Sequence, residues 1–244
     1  MKKLQILMPM GGIGKRFLDE GYKHPKPLID VSGKEMFLRA LESFDHFEIP
    51  KKHIFVIRKD QNDKYNLAQK IIKLLPDAQI NILDHNTKGA AETCLIAKKN
   101  IQLDQPLIIM DCDFRFYSKE YIDKINSAVK NGTPDGILLC FNSDNPRYSY
   151  AKTLANKVIE TAEKKVISDN AIAGAYYFNE AKTFVDAARN LLDQPISNNL
   201  KEYYLSLVYN ILISNGKIVE IARIDSFDSF GTPEELKLFI SNND

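Results

Sequence analysis

Leu4-Gln5-Ile6-Leu7-Met8-Pro9-Met10 runs directly into Gly11-Gly12-Ile13-Gly14-Lys15-Arg16-Phe17, and Pro25-Lys26-Pro27-Leu28-Ile29 follows. The first seven residues form an apolar run of the length of one buried strand. Three glycines after it let the backbone approach a ligand closely and turn its amides outward, a nest that suits phosphate. Lys15, Arg16 and Lys26 bring cations to that nest. Arg16 can grip phosphate oxygens in a planar fork, and Lys26 offers a compact point charge. Pro25 and Pro27 restrict the backbone around Lys26. Two familiar phosphate loops do not fit. A Walker A loop needs Ser or Thr after Gly-Lys, and Lys15 is followed by Arg16. A dinucleotide fingerprint needs a third glycine where Phe17 stands.

Outward from this stretch, short apolar runs at 54–57, 80–83, 107–110 and 136–140 alternate with helical patterns at 35–47, 62–75, 90–99 and 119–130. That order predicts an α/β protein with a mainly parallel sheet flanked by helices. After about residue 142 the pattern changes. Strands are expected at 149–154, 158–161 and 171–178, then helices at 180–192 and 201–215. A strand at 218–224 and a terminal helix from Pro233, capped by Thr232, complete the chain. The expectation is a single domain over 1–244 with a smaller lobe in its second half.

Composition narrows the function. The 244 residues are 44% hydrophobic and 27% charged, which excludes disorder over the whole length. Lys plus Arg is 33 and Asp plus Glu is 32. Without a basic excess, a general nucleic-acid or membrane binder is not expected. Lys51, Lys52, Arg58 and Lys59 have no interleaved aromatics and are expected to form a solvated surface. Cys94, Cys112 and Cys140 form no C-x-x-C pair, so reduced, buried thiols in a cytoplasmic protein are the expectation. Met1-Lys2-Lys3 precedes an apolar run that the glycines break, so it does not read as a signal peptide. No apolar stretch approaches the ~18 residues of a membrane span. His24, His46, His53 and His85 lack metal-ligand spacing, and no G-x-S-x-G elbow supports a serine triad.

Asp111-Cys112-Asp113 ends the 107–110 run. Ligands of open α/β sheets bind at the carboxyl ends of the strands. In an extended segment both acids would point to one side, where they suit a hard cation such as Mg²⁺ on phosphate oxygens. The plainer alternative is an Asx-type turn or helix cap.

Taken together, Gly11 to Arg16 with Pro25-Lys26-Pro27-Leu28 resembles the signature of the sugar-phosphate nucleotidylyltransferases, and the likeness extends from Leu7 to Leu236. It implies a Rossmann-like, glycosyltransferase-A-type fold, a nucleotide-binding half at about 1–141 and an acceptor-binding half at about 142–244. It implies an enzyme that joins an NTP to a phosphorylated small molecule with loss of pyrophosphate and Mg²⁺ as cofactor. Met10, Gly11, Gly12 and Gly14 would cradle the nucleotide, Lys15 and Arg16 would hold the departing pyrophosphate, and Lys26 would neutralise the α-phosphate. Gly89 and Ala90, in Thr87-Lys88-Gly89-Ala90-Ala91-Glu92-Thr93, match the loop that contacts the base. Glu163, Lys164 and Gly174 match acceptor contacts, Lys164 on the phosphate. Asp111 matches the magnesium ligand. A second metal-binding Asp would stand two residues before Gly231, but Ser229 occupies that place, which leaves Asp113 or Asp228 to substitute, or a cation with fewer protein ligands.

The likeness is to short members, without the C-terminal β-helix domain of longer ones, and implies a possible homo-oligomer. CTP is the favoured nucleotide. Gly21-Tyr22 with the glycine loop resembles a branch that acts on phosphoglutamine for capsule synthesis. Sugar-1-phosphate nucleotidylyltransferases and phosphocholine cytidylyltransferases are the alternatives within the family. Outside it stand a glycosyltransferase using Asp111-Cys112-Asp113 as a D-x-D metal site, and a nucleotide-binding protein without turnover. Pyrophosphate release separates the first reading from both.

Overall fold

The computed structural model describes residues 2–196 and 200–243. A nine-stranded mixed sheet runs through the molecule. The first strand, Leu4–Met10, lies between Lys51–Arg58 and Leu107–Met110, parallel to both, and Gln79–Leu83 extends the sheet beyond Lys51–Arg58. On the other side Asn170–Phe178 pairs antiparallel with Leu107–Met110 and with Gly136–Asn142. Val219–Arg223 runs parallel to Gly136–Asn142, and the hairpin Ser149–Leu154/Lys157–Glu163 closes the remaining edge. The expected mixed, mostly parallel sheet is therefore present. The boundary near residue 142 does not divide it, because a late strand is inserted between two early ones.

The central strands are apolar on both faces because both faces are covered. Leu4, Ile6, Met8 and Met10 join one core with Ile108, Met110 and Tyr177. Leu7 joins the opposite core with Leu107, Ile109 and Phe178. Gln5 is fully buried in this setting. Its amide exchanges hydrogen bonds with the backbone of Gln102 at 2.9 and 2.7 Å, which removes the cost of burying it. Cys94, Cys112 and Cys140 are free and buried.

Several elements differ from expectation. The 62–75 helix is two helices, Lys59–Tyr65 and Leu67–Leu74, because Asn66 sits in the left-handed region at φ 53°. The 35–47 helix is α-helical only over Met36–Leu41. The 201–215 helix begins at Leu205. A ribbon of Phe114–Tyr117 with Ser226–Ser229 was not expected. Pro233–Asn243 is helical, and the Thr232 hydroxyl accepts from the Glu235 amide at 3.2 Å. Leu236 and Phe239 of this helix form a third core with Phe17, Ile29 and Met36, which brings the chain's end against the helix that follows the glycine loop.

The sheet also opens where the chemistry sits. Gln5 donates its amide toward Pro106 at 2.9 Å, so by alternation Pro9 faces the same neighbour. Proline has no N–H to give. The ladder to Leu107–Met110 ends at Leu7↔Ile109, and the two strands part.

Candidate active site

Gly14 caps the short helix Lys15–Asp19 at φ 73°, and a β-carbon there would lie 3.2 Å from Lys26 Cβ. This close approach seats Lys26 beside the glycine loop. Its ammonium forms an ion pair with Asp113. Burial acts to lower the lysine's pKa, but Asp113, with Cys112 and Asp111, overcomes it and holds the group above its ordinary value. Lys26 is thus a fixed cation at pH 7.

Asp111 follows the last residue of its strand. Its amide donates to Gly174 O at 3.2 Å. Burial, and then the carboxylate of Asp113, push its pKa up to about 7 against the pull of Lys26. Two oxygen-donor carboxylates stand beside one ammonium, and such donors fit a hard divalent cation. No group of three or more His, Cys, Asp or Glu able to hold a metal occurs among the described residues. The remaining ligands of Mg²⁺ would be water and phosphate oxygens, its usual partners.

Two cavities meet at these acids. The first, about 490 Å³, is lined by Met10, Gly11, Gly12, Gly14, Lys26, Arg58, Asn86, Gly89, Ala90, Asp111 and Asp113 among others. The second, about 340 Å³, is lined by Arg16, Ala90, Asp111, Asp113, Glu163, Gly174 and an aromatic wall that includes Phe141, Tyr148 and Phe227. Phe141 and Phe227 stack at 5.6 Å between ring centroids. Glu163 accepts from Ser149 and Ser206 through one oxygen, Oε2.

Three of the expected residues are not brought to the acids. Lys15 is exposed and bound to Asp19 at 2.9 Å. Lys164 is exposed, in neither lining, and donates to the Tyr204 hydroxyl at 2.8 Å. Asp228 pairs with Arg115 at 2.7 Å and lies in neither lining. Alternation along the ribbon explains this. Phe227 and Ser229 face the second cavity, so Asp228 faces away. Asp225 accepts from the Lys119 amide at 2.7 Å, at the start of the Lys119–Asn131 helix.

Gly89 has a partner that was not expected. At φ 140° its β-carbon would meet the backbone of Tyr203 at 2.6 Å, and Tyr203 N donates to Lys88 O at 2.8 Å. Tyr203 O in turn accepts from the Ala91 amide at 3.1 Å. Arg58 was expected on a solvated surface, but its side chain is 15% exposed and lines the first cavity. It donates to Asp60 at 2.8 Å, Asn86 Oδ1 at 2.9 Å and Gly11 O at 3.4 Å. Only its place at the end of a strand, the position that carries ligand contacts in such sheets, could have marked it.

The chain belongs to the nucleotidyl transferase family, which it matches over residues 5–205. The bifunctional protein GlmU of Carboxydothermus hydrogenoformans is 26% identical over 227 residues, 88% of this chain and 47% of that relative. GlmU of Clostridium tetani is 27% identical over 229 residues, again 88% and 47%. The chain spans about half the length of these curated relatives. The crystal structure of a nucleoside-diphosphate-sugar pyrophosphorylase from Vibrio cholerae RC9 is similar at a TM-score of 0.84 and 27% identity, covering 97% of this chain and 99% of that one. The inositol-1-phosphate CTP transferase from T. maritima shares the fold at a TM-score of 0.74 and 15% identity, covering 98% and 94%. No described helix is long and apolar enough to cross a membrane.

Proposed function

We propose that this chain joins an NTP, CTP by preference, to a phosphorylated small molecule and releases pyrophosphate, with Mg²⁺ as cofactor. The observation that carries the reading is the shared border: both cavities are lined by Asp111 and Asp113, and Lys26 is bound to Asp113. Two anionic substrates seated on either side would meet at one fixed cation and two acids.

The acceptor's phosphate oxygen attacks the α-phosphorus, and the bond to pyrophosphate breaks in line. This chemistry rests on positioning and charge neutralisation, with no demand for a protein base. Amides of Gly11, Gly12 and Gly14 cradle the nucleotide phosphates. Lys26 neutralises the α-phosphate as charge builds there. Arg16 lines the second cavity, on the acceptor's side of the shared border. Asp111 and Asp113 hold the Mg²⁺, which supplies charge neutralisation and orientation of phosphate oxygens.

The lining of the second cavity supports a reading of the acceptor. Glu163 has a carboxylate oxygen to offer an ammonium or hydroxyl group, and Arg147, paired with Glu235 at 3.0 Å, can receive an anionic one. Phosphoglutamine carries both charges, and the product would serve capsule or other cell-surface synthesis. Phosphocholine is the second reading, favoured by the aromatic wall. The test is pyrophosphate release with Mg²⁺, each NTP against sugar 1-phosphates, phosphocholine and phosphoglutamine. Release that needs one NTP and one acceptor supports the reading. Nucleotide binding with no release from any acceptor argues for a protein that binds without turnover.

A further inference from the structure

We infer that Asn86, oriented by Arg58, reads the edge of the nucleotide base and makes the first cavity prefer cytosine to uracil; this rests on the nucleotidylyltransferase reading above. Its lining holds separate bonded groups: Lys26 with Asp113 beside Asp111, Arg58 with Asn86, and Thr87 with Thr93; Glu202 lines it as well. The triphosphate belongs with the lysine and the acids. The base then falls against Asn86 and Thr87.

The hydrogen bonds among these side chains decide which end of the Asn86 amide is turned to Arg58. Thr93 Oγ1 donates to Gly89 O at 3.1 Å, so the Thr87 hydroxyl donates in its 2.6 Å contact with Thr93. Arg58 is engaged by Asp60 and Gly11 O as well as by Asn86. A guanidinium has donors and no acceptor. The Asn86 amide must therefore turn its oxygen to Arg58, at 2.9 Å, and its NH₂ away. The amide cannot flip without placing N–H against N–H. The cavity accordingly presents a fixed donor.

Cytosine offers adjacent acceptors, O2 and N3, to such a group. Both bases accept at O2, so the discrimination lies at N3, where cytosine accepts and uracil N3–H would set donor against donor. A site built for one hydrogen-bond pattern rejects the analogue that lacks it. Arg58 is thus a positioning residue and Asn86 the reader.

The test measures binding of CTP and of UTP with Mg²⁺ by calorimetry, with no acceptor present. The wild-type chain is expected to favour CTP by about tenfold. Asn86→Asp retains a bond to Arg58 through one oxygen and offers the other, an acceptor, to the base. Its CTP-to-UTP affinity ratio should reverse, although the added charge weakens both nucleotides. Arg58→Met frees the amide to turn either end outward, and its ratio should fall toward one. A general loosening of the loop would lower both affinities and leave the ratio alone. An unchanged ratio in Asn86→Asp, or a wild-type preference for UTP, ATP or GTP, overturns the inference. An unchanged ratio in Arg58→Met removes Arg58 from it. Failure to bind any NTP would overturn instead the nucleotidylyltransferase reading beneath it.

Discussion

A β-carbon on Gly174 would stand 2.8 Å from Oδ2 of Asp111. The strand that holds Gly174 has an irregular register between Ile172 and Tyr176, and Gly174 itself lies at φ 77°. Backbone shape and the nearness of a carboxylate both demand glycine here. The wall of the second cavity and the position of Asp111 are therefore one feature.

Gly174→Ala should lose about 2 kcal/mol of stability from left-handed strain alone. It should also displace Asp111, so turnover at saturating substrates falls while the melting curve stays cooperative. Thermal unfolding and pyrophosphate release on one preparation check this. A variant as active as wild type would detach Asp111 from the reaction.

Lys26→Ala should lower kcat by about 10²–10³, the scale of losing one group that stabilises developing charge, and change the KM for NTP much less. Steady-state kinetics with varied NTP separate the two effects. Unchanged turnover would remove Lys26 from the chemistry.

Asp228→Asn should leave kcat and the Mg²⁺ dependence within about twofold of wild type, because its carboxylate serves Arg115 across the ribbon. The half-exposed pair contributes on the order of 0.5–1 kcal/mol, which denaturant unfolding can detect. A large shift in the Mg²⁺ concentration for half activity would restore Asp228 as a metal ligand.

Glu42 gives a pH signature. Burial acts to raise its pKa, but hydrogen bonds from Lys34, Arg115 and Arg39 overcome this and hold the carboxyl below the usual range. A carboxylate depressed in the folded state adds stability above its unfolded pKa and loses it as pH falls through the folded value. Glu42→Gln should melt earlier than wild type at neutral pH, and the gap should close in acid. A gap of constant size from pH 7 to pH 3 would contradict that account.

Much of the sheet was legible because buried parallel strands are continuous apolar runs, as at Leu107–Met110. Phe114–Tyr117 alternates as a strand should, but its partner lies more than 100 residues away, at Ser226–Ser229. No local pattern announces such a pairing, and the orientation of Asp228 depends on it. The cations at 51–59 looked alike in sequence. Arg58 is held at the first cavity by hydrogen bonds to Gly11 O and Asn86, neither of them near it in sequence. Gly89 was legible as a special position, but contact with Tyr203 is its reason among the described residues, and that contact depends on a distant loop.

The strand order carries a consequence for synthesis. Leu107–Met110 finds one neighbour early, Leu4–Met10, but its other neighbour is Asn170–Phe178. While the ribosome makes the intervening residues, a fully apolar strand has one edge unpaired. Such an edge is a template for pairing with another chain. The nascent polypeptide is therefore most open to self-association after Met110 emerges and before Phe178 follows, and a chain truncated in that interval should aggregate.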